Sequence, residues 1–242
     1  MKSKYKILIS VIAYNESNNI ISTVDDLKKN NFGYDIVVIN NGSTDQTKEM
    51  CKKNKIHSVN HCINTGSSMG TVLTYFMNSY RHNYDIMCQF DGDGQHIASE
   101  IKKIIKPIVD GKSDYVIGSR FIDCKGFQST FLRRIGIRLF SILISCIIKQ
   151  KITDVTSGFR AYNRKVMELY SKKMRMELND VNELLLLSHF NGMRITEVPV
   201  LMKERISGKS EFNFANALFF PLKGIINIIG CYLQKHNYRK SK

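Results

Sequence analysis

The segment Asp91-Gly92-Asp93-Gly94-Gln95-His96 carries the residue types best suited to chemistry. Two carboxylates separated by one glycine put hard oxygen ligands on a sharply turning backbone. Mg2+ and Mn2+ take such oxygens, commonly from one or two carboxylates plus the phosphate oxygens of a substrate. The same residues also suit a solvated turn, because Asp-Gly is a common turn dipeptide. Their position bears on the choice: the run from Tyr84 to Phe90 is apolar and reads as a buried strand, so the acidic pair sits where a strand stops.

Two other polar segments end strand-like runs in the same way. Tyr14-Asn15-Glu16 follows the run Lys6 to Ile12, and Asn40-Asn41-Gly42-Ser43 follows Asp35 to Ile39. A fourth run, Asp114 to Gly118, also reads as a strand. Helical patterns are predicted over Ser17 to Lys29, Thr44 to Asn54, Ser67 to Tyr80 and Ser99 to Val109, with Ser17, Thr44 and Ser99 as N-caps. Strand-helix alternation with continuously apolar strands predicts an α/β fold, a mostly parallel central sheet with helices on both faces. Ligands of such sheets lie beyond the carboxyl ends of the strands, where all three polar segments fall.

The second half is less regular. Arg134, Arg138, Ser141, Ser145 and Lys149 recur every three or four residues, with Ile135, Leu139, Ile142, Leu143, Cys146 and Ile147 between them. This predicts an amphipathic helix with a basic-polar stripe. Arg194 to Val200 reads as a further strand. The stretch Phe214 to Leu233 would span roughly 30 Å as a helix, but Pro221, Lys223 and Asn227 interrupt it. A central Lys disfavours membrane insertion by about 2.5 to 3.5 kcal/mol. Its apolar and polar residues separate onto two sides, which predicts a helix lying on a surface, either lipid or the protein's own core. The basic tail His236 to Lys242 suits an anionic membrane. The chain thus divides into one α/β domain over 1–213 and a C-terminal amphipathic helix with a basic tail over 214–242.

A chain of 242 residues with 43% hydrophobic content can fill one core and is not disordered. Six scattered cysteines with no C-x-x-C pair read as buried small hydrophobes in a reducing compartment, not as a disulfide framework or a zinc site. The net charge of +15 fits nucleic acid, an anionic membrane or a phosphorylated substrate. No nucleic-acid module pattern is present, so nucleic acid is not an expected partner. The first residues lack the apolar core of a signal peptide, and a cytoplasmic location is expected.

Val11-Ile12-Ala13-Tyr14-Asn15-Glu16, Ile39-Asn40-Asn41-Gly42-Ser43-Thr44-Asp45 and Asp91-Gly92-Asp93-Gly94-Gln95-His96 occur in that order. Gly118-Ser119-Arg120, Ser157-Gly158-Phe159-Arg160, Glu197-Val198-Pro199 and Arg205-Ile206-Ser207-Gly208-Lys209-Ser210 follow. On these motifs the chain, from Lys6 to about Phe214, resembles family 2 glycosyltransferases of the dolichol- and polyprenol-phosphate sugar synthase branch. The resemblance implies a GT-A fold, a UDP- or GDP-linked sugar donor, Mg2+ or Mn2+, and inversion at the anomeric carbon.

It also implies roles for particular residues. Asp91 would lie near the ribose and phosphate, and Asp93 would bind the metal with Gln95 completing its shell. Tyr14, Asn15 and Glu16 would contact the nucleoside, with Asn41, Ser43 and Asn64 on the donor side. The family usually shows Asp where this chain has Asn41, which bears on base specificity. Arg205 and Lys209 would close a basic loop over the diphosphate. Asp154 would stand near sugar and acceptor, joining Asp91, Asp93 and Arg205 as the catalytic set, and Arg120, Arg133 and Arg134 would hold an acceptor phosphate. Asp180 and Glu183 lie near the position where relatives acting on hydroxyls carry a base. A sugar hydroxyl needs such a base, whereas a lipid phosphate is already anionic. The expected acceptor is a polyprenyl phosphate at the cytoplasmic membrane face, reached by a peripheral enzyme. The alternatives are a saccharide hydroxyl in cell-surface polysaccharide synthesis, or a degenerate, basic membrane-surface binding protein.

Overall fold

Branched residues in short contiguous runs favour buried strands over helices, and the Ile- and Val-rich runs here become the centre of a sheet. The computed structural model describes residues 5–30, 33–64, 77–78, 83–128, 130–173, 181–205, 224–226 and 228–233. Its strands are β1 (Ile7–Ala13), β2 (Asp35–Asn41), β3 (Ser58–His61), β4 (Ile86–Asp91), β5 (Tyr115–Ser119), β6 (Arg160–Asn163) and β7 (Ile195–Pro199). Its helices are α1 (Ile20–Lys29), α2 (Thr47–Lys53), α3 (Ile101–Val109), α4 (Phe131–Ile148), α5 (Arg164–Lys173) and α6 (Val181–Phe190).

The strands form one sheet in the order β3-β2-β1-β4-β6-β5-β7. All neighbours are parallel except β6, which runs antiparallel to both β4 and β5. Alternate residues of β4 face opposite sides. Ile86, Cys88 and Phe90 join a core with Ile20 and Val24 of α1 and Ile104 and Ile108 of α3. Met87 points the other way, to Phe140 and Ile144 of α4, Tyr170 of α5 and Leu184 of α6. Helices therefore cover both faces, and each fully buried Ile, Leu or Phe stabilises the fold by about 1.5–3 kcal/mol.

Strand order reverses direction at β1 and β4, and their carboxyl ends are level, with Ile12 paired to Asp91. That is the crevice where open α/β sheets bind ligands. Because β6 is antiparallel, its entry rather than its exit lies at this edge. Arg160 pairs with Gln89, so Ser157-Gly158-Phe159 meets the end of β4.

Some expectations are corrected. β3 and β6 were not anticipated. The expected N-caps Ser17, Thr44 and Ser99 do not cap: α1 begins at Ile20, α2 at Thr47, and Ser99 lies inside a 3-10 turn, Ala98–Glu100. Asp45 instead accepts the backbone N–H and hydroxyl of Thr47 and the N–H of Ser17, which draws the two loops together. Of the expected helix over 67–80, all but 77–78 lies outside the described residues. The six cysteines are free thiols, but Cys62, Cys124 and Cys146 are exposed.

The basic-polar stripe of α4 is partly turned inward. Ser141 is buried and its hydroxyl donates to Thr153 O, while Ser145 Oγ accepts the Ile152 N–H. Ile135, Leu139, Ile142 and Leu143 are exposed instead.

Candidate active site

Asp91 is the last residue of β4, and Asp93 follows on the turn through Gly94, whose φ of 77° is left-handed. The Asp91 backbone N–H donates to His96 Nδ1 at 3.0 Å, so the ring proton lies on Nε2, 3.4 Å from Asp91 Oδ2. The His96 ring stacks on Phe159 at 4.5 Å and meets Phe90 edge-on at 5.1 Å. Burial in this aromatic slot pushes its pKa down to about 4, so it is a neutral ring at pH 7. The imidazole thus orients the carboxylate from beneath. On the other side Gly158 lies so close that a Cβ there would stand 2.4 Å from Asp91 Oδ2.

Asp91 keeps 34% of its side chain open to solvent. Burial raises its pKa to about 6 against the pull of Arg120, Arg160 and Arg205. Asp93 is raised by burial and by the charge of Asp91. Glu16 is raised by burial, with further contributions from Asp93 and Asp91. Asp91 and Asp93 stand close enough at the strand edge for their charges to repel, a repulsion that a divalent cation would relieve. Asp91 and Asp93 fit Mg2+ or Mn2+, which need only one or two carboxylates when phosphate oxygens complete the shell. Among the described residues no group of three or more His, Cys, Asp or Glu is arranged as a metal cage, so protein ligands alone would not complete one. Gln95 directs its amide Nε2 to Lys203 O at 3.4 Å, and its N–H to Asp93 Oδ1 at 3.0 Å.

Residues 202–203 run alongside 95–96, joined by the His96–Met202 bridge and by Lys203 N–H to Gln95 O at 2.8 Å. This brings Arg205 to the crevice, where it pairs with the buried Glu16. Glu16 Oε2 also accepts Asn19 Nδ2 at 2.7 Å. Lys209 lies outside the described residues.

The donor-side residues divide into two groups. Asn15, in the left-handed region at φ 55°, accepts the N–H groups of Thr44 and Asp45 and donates its own N–H to Ser43 Oγ. Asn15 and Ser43 are thus a clasp between the β1 and β2 loops. Tyr14 is half-buried beside them. Asn41 Nδ2 donates to Asn64 Oδ1 at 3.0 Å, and Asn40 Nδ2 to Asn60 Oδ1 at 2.9 Å. Gly42, at φ 74°, admits this loop: any Cβ there would lie 2.3 Å from the Ile63 carbonyl carbon.

Asp154 is not exposed at all. Arg120 takes both its oxygens, Nε to Oδ2 and NH2 to Oδ1, each at 2.7 Å. Glu197 accepts the Thr153 and Asp154 N–H groups at 2.8 Å, holding that turn in place. Arg160 is buried with Tyr115 and the carbonyls of Val155 and Ser157. Asp154 therefore lies behind Arg120 and does not front the crevice. Arg133, an exposed residue in the first turn of α4, has its pKa lowered by partial desolvation and by Arg120, with Asp154 and Asp93 opposing. Sequence reasoning missed the closeness of Gly158 to Asp91. The signal available was a glycine inside an otherwise bulky Ser157-Gly158-Phe159 segment.

The family model for glycosyl transferase family 2 matches residues 8–170. Among curated proteins the chain is 29% identical to the UDP-N-acetylglucosamine–dolichyl-phosphate N-acetylglucosaminyltransferase of Methanococcus voltae, over 80% of this chain and 84% of that one. It is 25% identical to the polyprenol monophosphomannose synthase of Mycolicibacterium smegmatis, over 86% and 82%. Among solved structures, glucosyl-3-phosphoglycerate synthase from Mycobacterium tuberculosis, in complex with Mn2+ and UDP-glucose, superposes with a TM-score of 0.67. That match is at 16% identity and covers 95% of this chain and 80% of that one.

Proposed function

The chain belongs to glycosyl transferase family 2 and is a glycosyltransferase, and from this premise we propose that it moves a sugar from a UDP- or GDP-linked donor to a polyprenyl phosphate, with inversion at the anomeric carbon. The curated relatives named above are a dolichyl-phosphate and a polyprenol-phosphate sugar transferase. The observation that carries the reading is Asp91 and Asp93 at the strand switch point, ringed by Arg120, Arg133 and Arg205. An acidic pair within a basic ring suits a diphosphate donor and a phosphate acceptor. The acids Glu16, Asp154 and Glu197 are each held by hydrogen bonds to other protein groups, and Glu183 is buried in α6. An anionic acceptor needs positioning rather than a base, so a phosphate acceptor is compatible with acids held in this way. Asp180 lies outside the described residues.

Mg2+ or Mn2+ held by Asp91 and Asp93 would supply neutralising charge for the departing nucleoside diphosphate. Arg205 adds positive charge on the donor side when it leaves Glu16 for the phosphates. Asp154 positions Arg120, and Arg120 with Arg133 orients the acceptor phosphate. His96 and Gly158 fix the Asp91 carboxylate, and Asn41 and Asn64 form the edge that meets the base. We assign this machinery to residues 1–213, with 214–242 as an appended helix and tail at the membrane where the acceptor resides.

Calorimetric titration of UDP and GDP, with and without Mn2+, tests the donor side. Metal-dependent binding of one of them, lost in Asp93→Ala, is expected. Binding of neither, or binding indifferent to both metal and Asp93, would count against the proposal.

A further inference from the structure

Glu197 opens the Glu197-Val198-Pro199 motif, on β7 beside Ile117 of β5. Among the described residues its carboxylate bonds only to the loop that follows α4. Oε2 accepts the Thr153 N–H at 2.8 Å and the Thr153 hydroxyl at 3.0 Å, and Oε1 accepts the Asp154 N–H at 2.8 Å. Two adjacent backbone N–H groups are thus gripped in a fork, which fixes the direction in which the Asp154 side chain leaves the backbone. The grip has a cost: burial raises the Glu197 pKa, and the charge of Asp154 adds to the rise against these hydrogen bonds. A glutamine would avoid that cost, but only an ionised carboxylate accepts on both of its terminal atoms.

The loop is held from two further sides. Thr153 Oγ1 meets Ser119 Oγ at 2.6 Å, one residue before Arg120. On α4, Ser141 Oγ donates to Thr153 O at 3.1 Å, and Ser145 Oγ accepts the Ile152 N–H at 2.9 Å. β5, β7 and α4 therefore converge on residues 152–154. What the loop presents is Asp154, which takes Nε and Nη2 of Arg120, and Thr156 Oγ1 accepts Nη2 as well at 3.0 Å. One edge of the guanidinium is committed to the loop, and the Nη1 end is left for a phosphate oxygen. Arg120 and Asp91 feel each other's charge, so that end belongs to the crevice.

We propose that Glu197 is a positioning residue for the acceptor side: through the 152–154 loop and Asp154, it fixes the angle at which Arg120 meets the acceptor phosphate. Glu197 itself touches no substrate. The same loop fastens α4, whose first turn carries Arg133, so both acceptor-side arginines are referenced to one point. The inference rests on the reading of Arg120 as a ligand of that phosphate, and the test separates the two.

The test is steady-state transfer to a short-chain, water-soluble polyprenyl phosphate, at saturating donor and Mn2+. Glu197→Gln keeps the side-chain size but turns an amide NH2 toward one of the two N–H groups. It should raise the acceptor KM about tenfold, while calorimetric, metal-dependent binding of UDP or GDP stays unchanged. Arg120→Lys should raise the same KM at least as far, because an ammonium cannot replace the planar fork. The double variant should be no worse than Arg120→Lys alone, since Glu197 acts through Arg120. Thr153→Val, which removes only the hydroxyl links, should raise the acceptor KM about threefold and serves if Glu197→Gln does not fold. An unchanged acceptor KM in the Glu197 or Thr153 variant, or a double variant whose losses multiply, would overturn the inference alone. A wild type that transfers to no polyprenyl phosphate, or Arg120→Lys with an unchanged acceptor KM, would overturn the acceptor reading and the inference with it.

Discussion

A methyl group at position 158 would lie 2.4 Å from Asp91 Oδ2, inside any tolerable contact, so Gly158→Ala must displace the carboxylate. Misplacement of a reacting group by about 1 Å lowers rate by about 10²-fold. Gly158→Ala should therefore lower kcat by that order with little change in the melting temperature, as steady-state kinetics and calorimetry would report. Without a bound metal, Asp91 itself carries a cost. Its folded pKa of about 6 exceeds the ordinary carboxylate value, so the neutral form is the one the fold favours. Stability from this group is full below about pH 4 and is lost as pH rises through 6. With chelator present, Asp91→Asn should melt above the wild type at pH 7.5, and the gap should shrink to nothing by pH 4. A gap independent of pH would contradict the assignment. These acids were legible in the sequence as a strand-ending pair. The support from Gly158 was not, because its approach to Asp91 joins residues 67 apart in the chain.

At the scale of elements, the parallel half was readable because β1, β2, β4 and β5 are short, mostly apolar runs. β3 and β6 were not. Each has four residues, and β6, Arg160-Ala161-Tyr162-Asn163, buries an arginine that no hydropathy pattern would place inside. α4 was legible as a helix, but with apolar residues beside its basic-polar stripe the pattern does not say that its serines turn inward. They face inward because backbone groups of 152 and 153 hydrogen-bond them there. The loop after α4 also carries Asp154, whose pairing with Arg120 ties it to the end of β5. Breaking a buried pair on one side leaves an uncompensated charge, which typically costs about 3–5 kcal/mol. Asp154→Ala should lose stability of that order in urea denaturation. A loss below about 1 kcal/mol would show that Arg120 finds water instead.

At the scale of the whole molecule, the strand order sets what can meet. The reversal at β1 and β4 opens the crevice, and the single antiparallel strand returns the 157–159 turn to it. The basic segment 202–205 closes the far side through the Glu16–Arg205 pair. The acidic pair lies at one edge of the molecule, and α4 exposes apolar residues elsewhere. The acidic pair stood out in the sequence, whereas the exposed apolar face emerged only from packing. The central claim is that Asp91 and Asp93 serve metal-dependent sugar transfer to a polyprenyl phosphate. The most direct measurement is transfer of labelled sugar from UDP- and GDP-sugars to that acceptor, comparing Mn2+ with chelator in wild type and Asp93→Ala. The account predicts lipid-linked product from one donor only with metal, and a fall of more than about 10²-fold in the variant, since several kcal/mol of charge stabilisation goes with the ligand. Undiminished transfer in chelator, or full activity in Asp93→Ala, would contradict it.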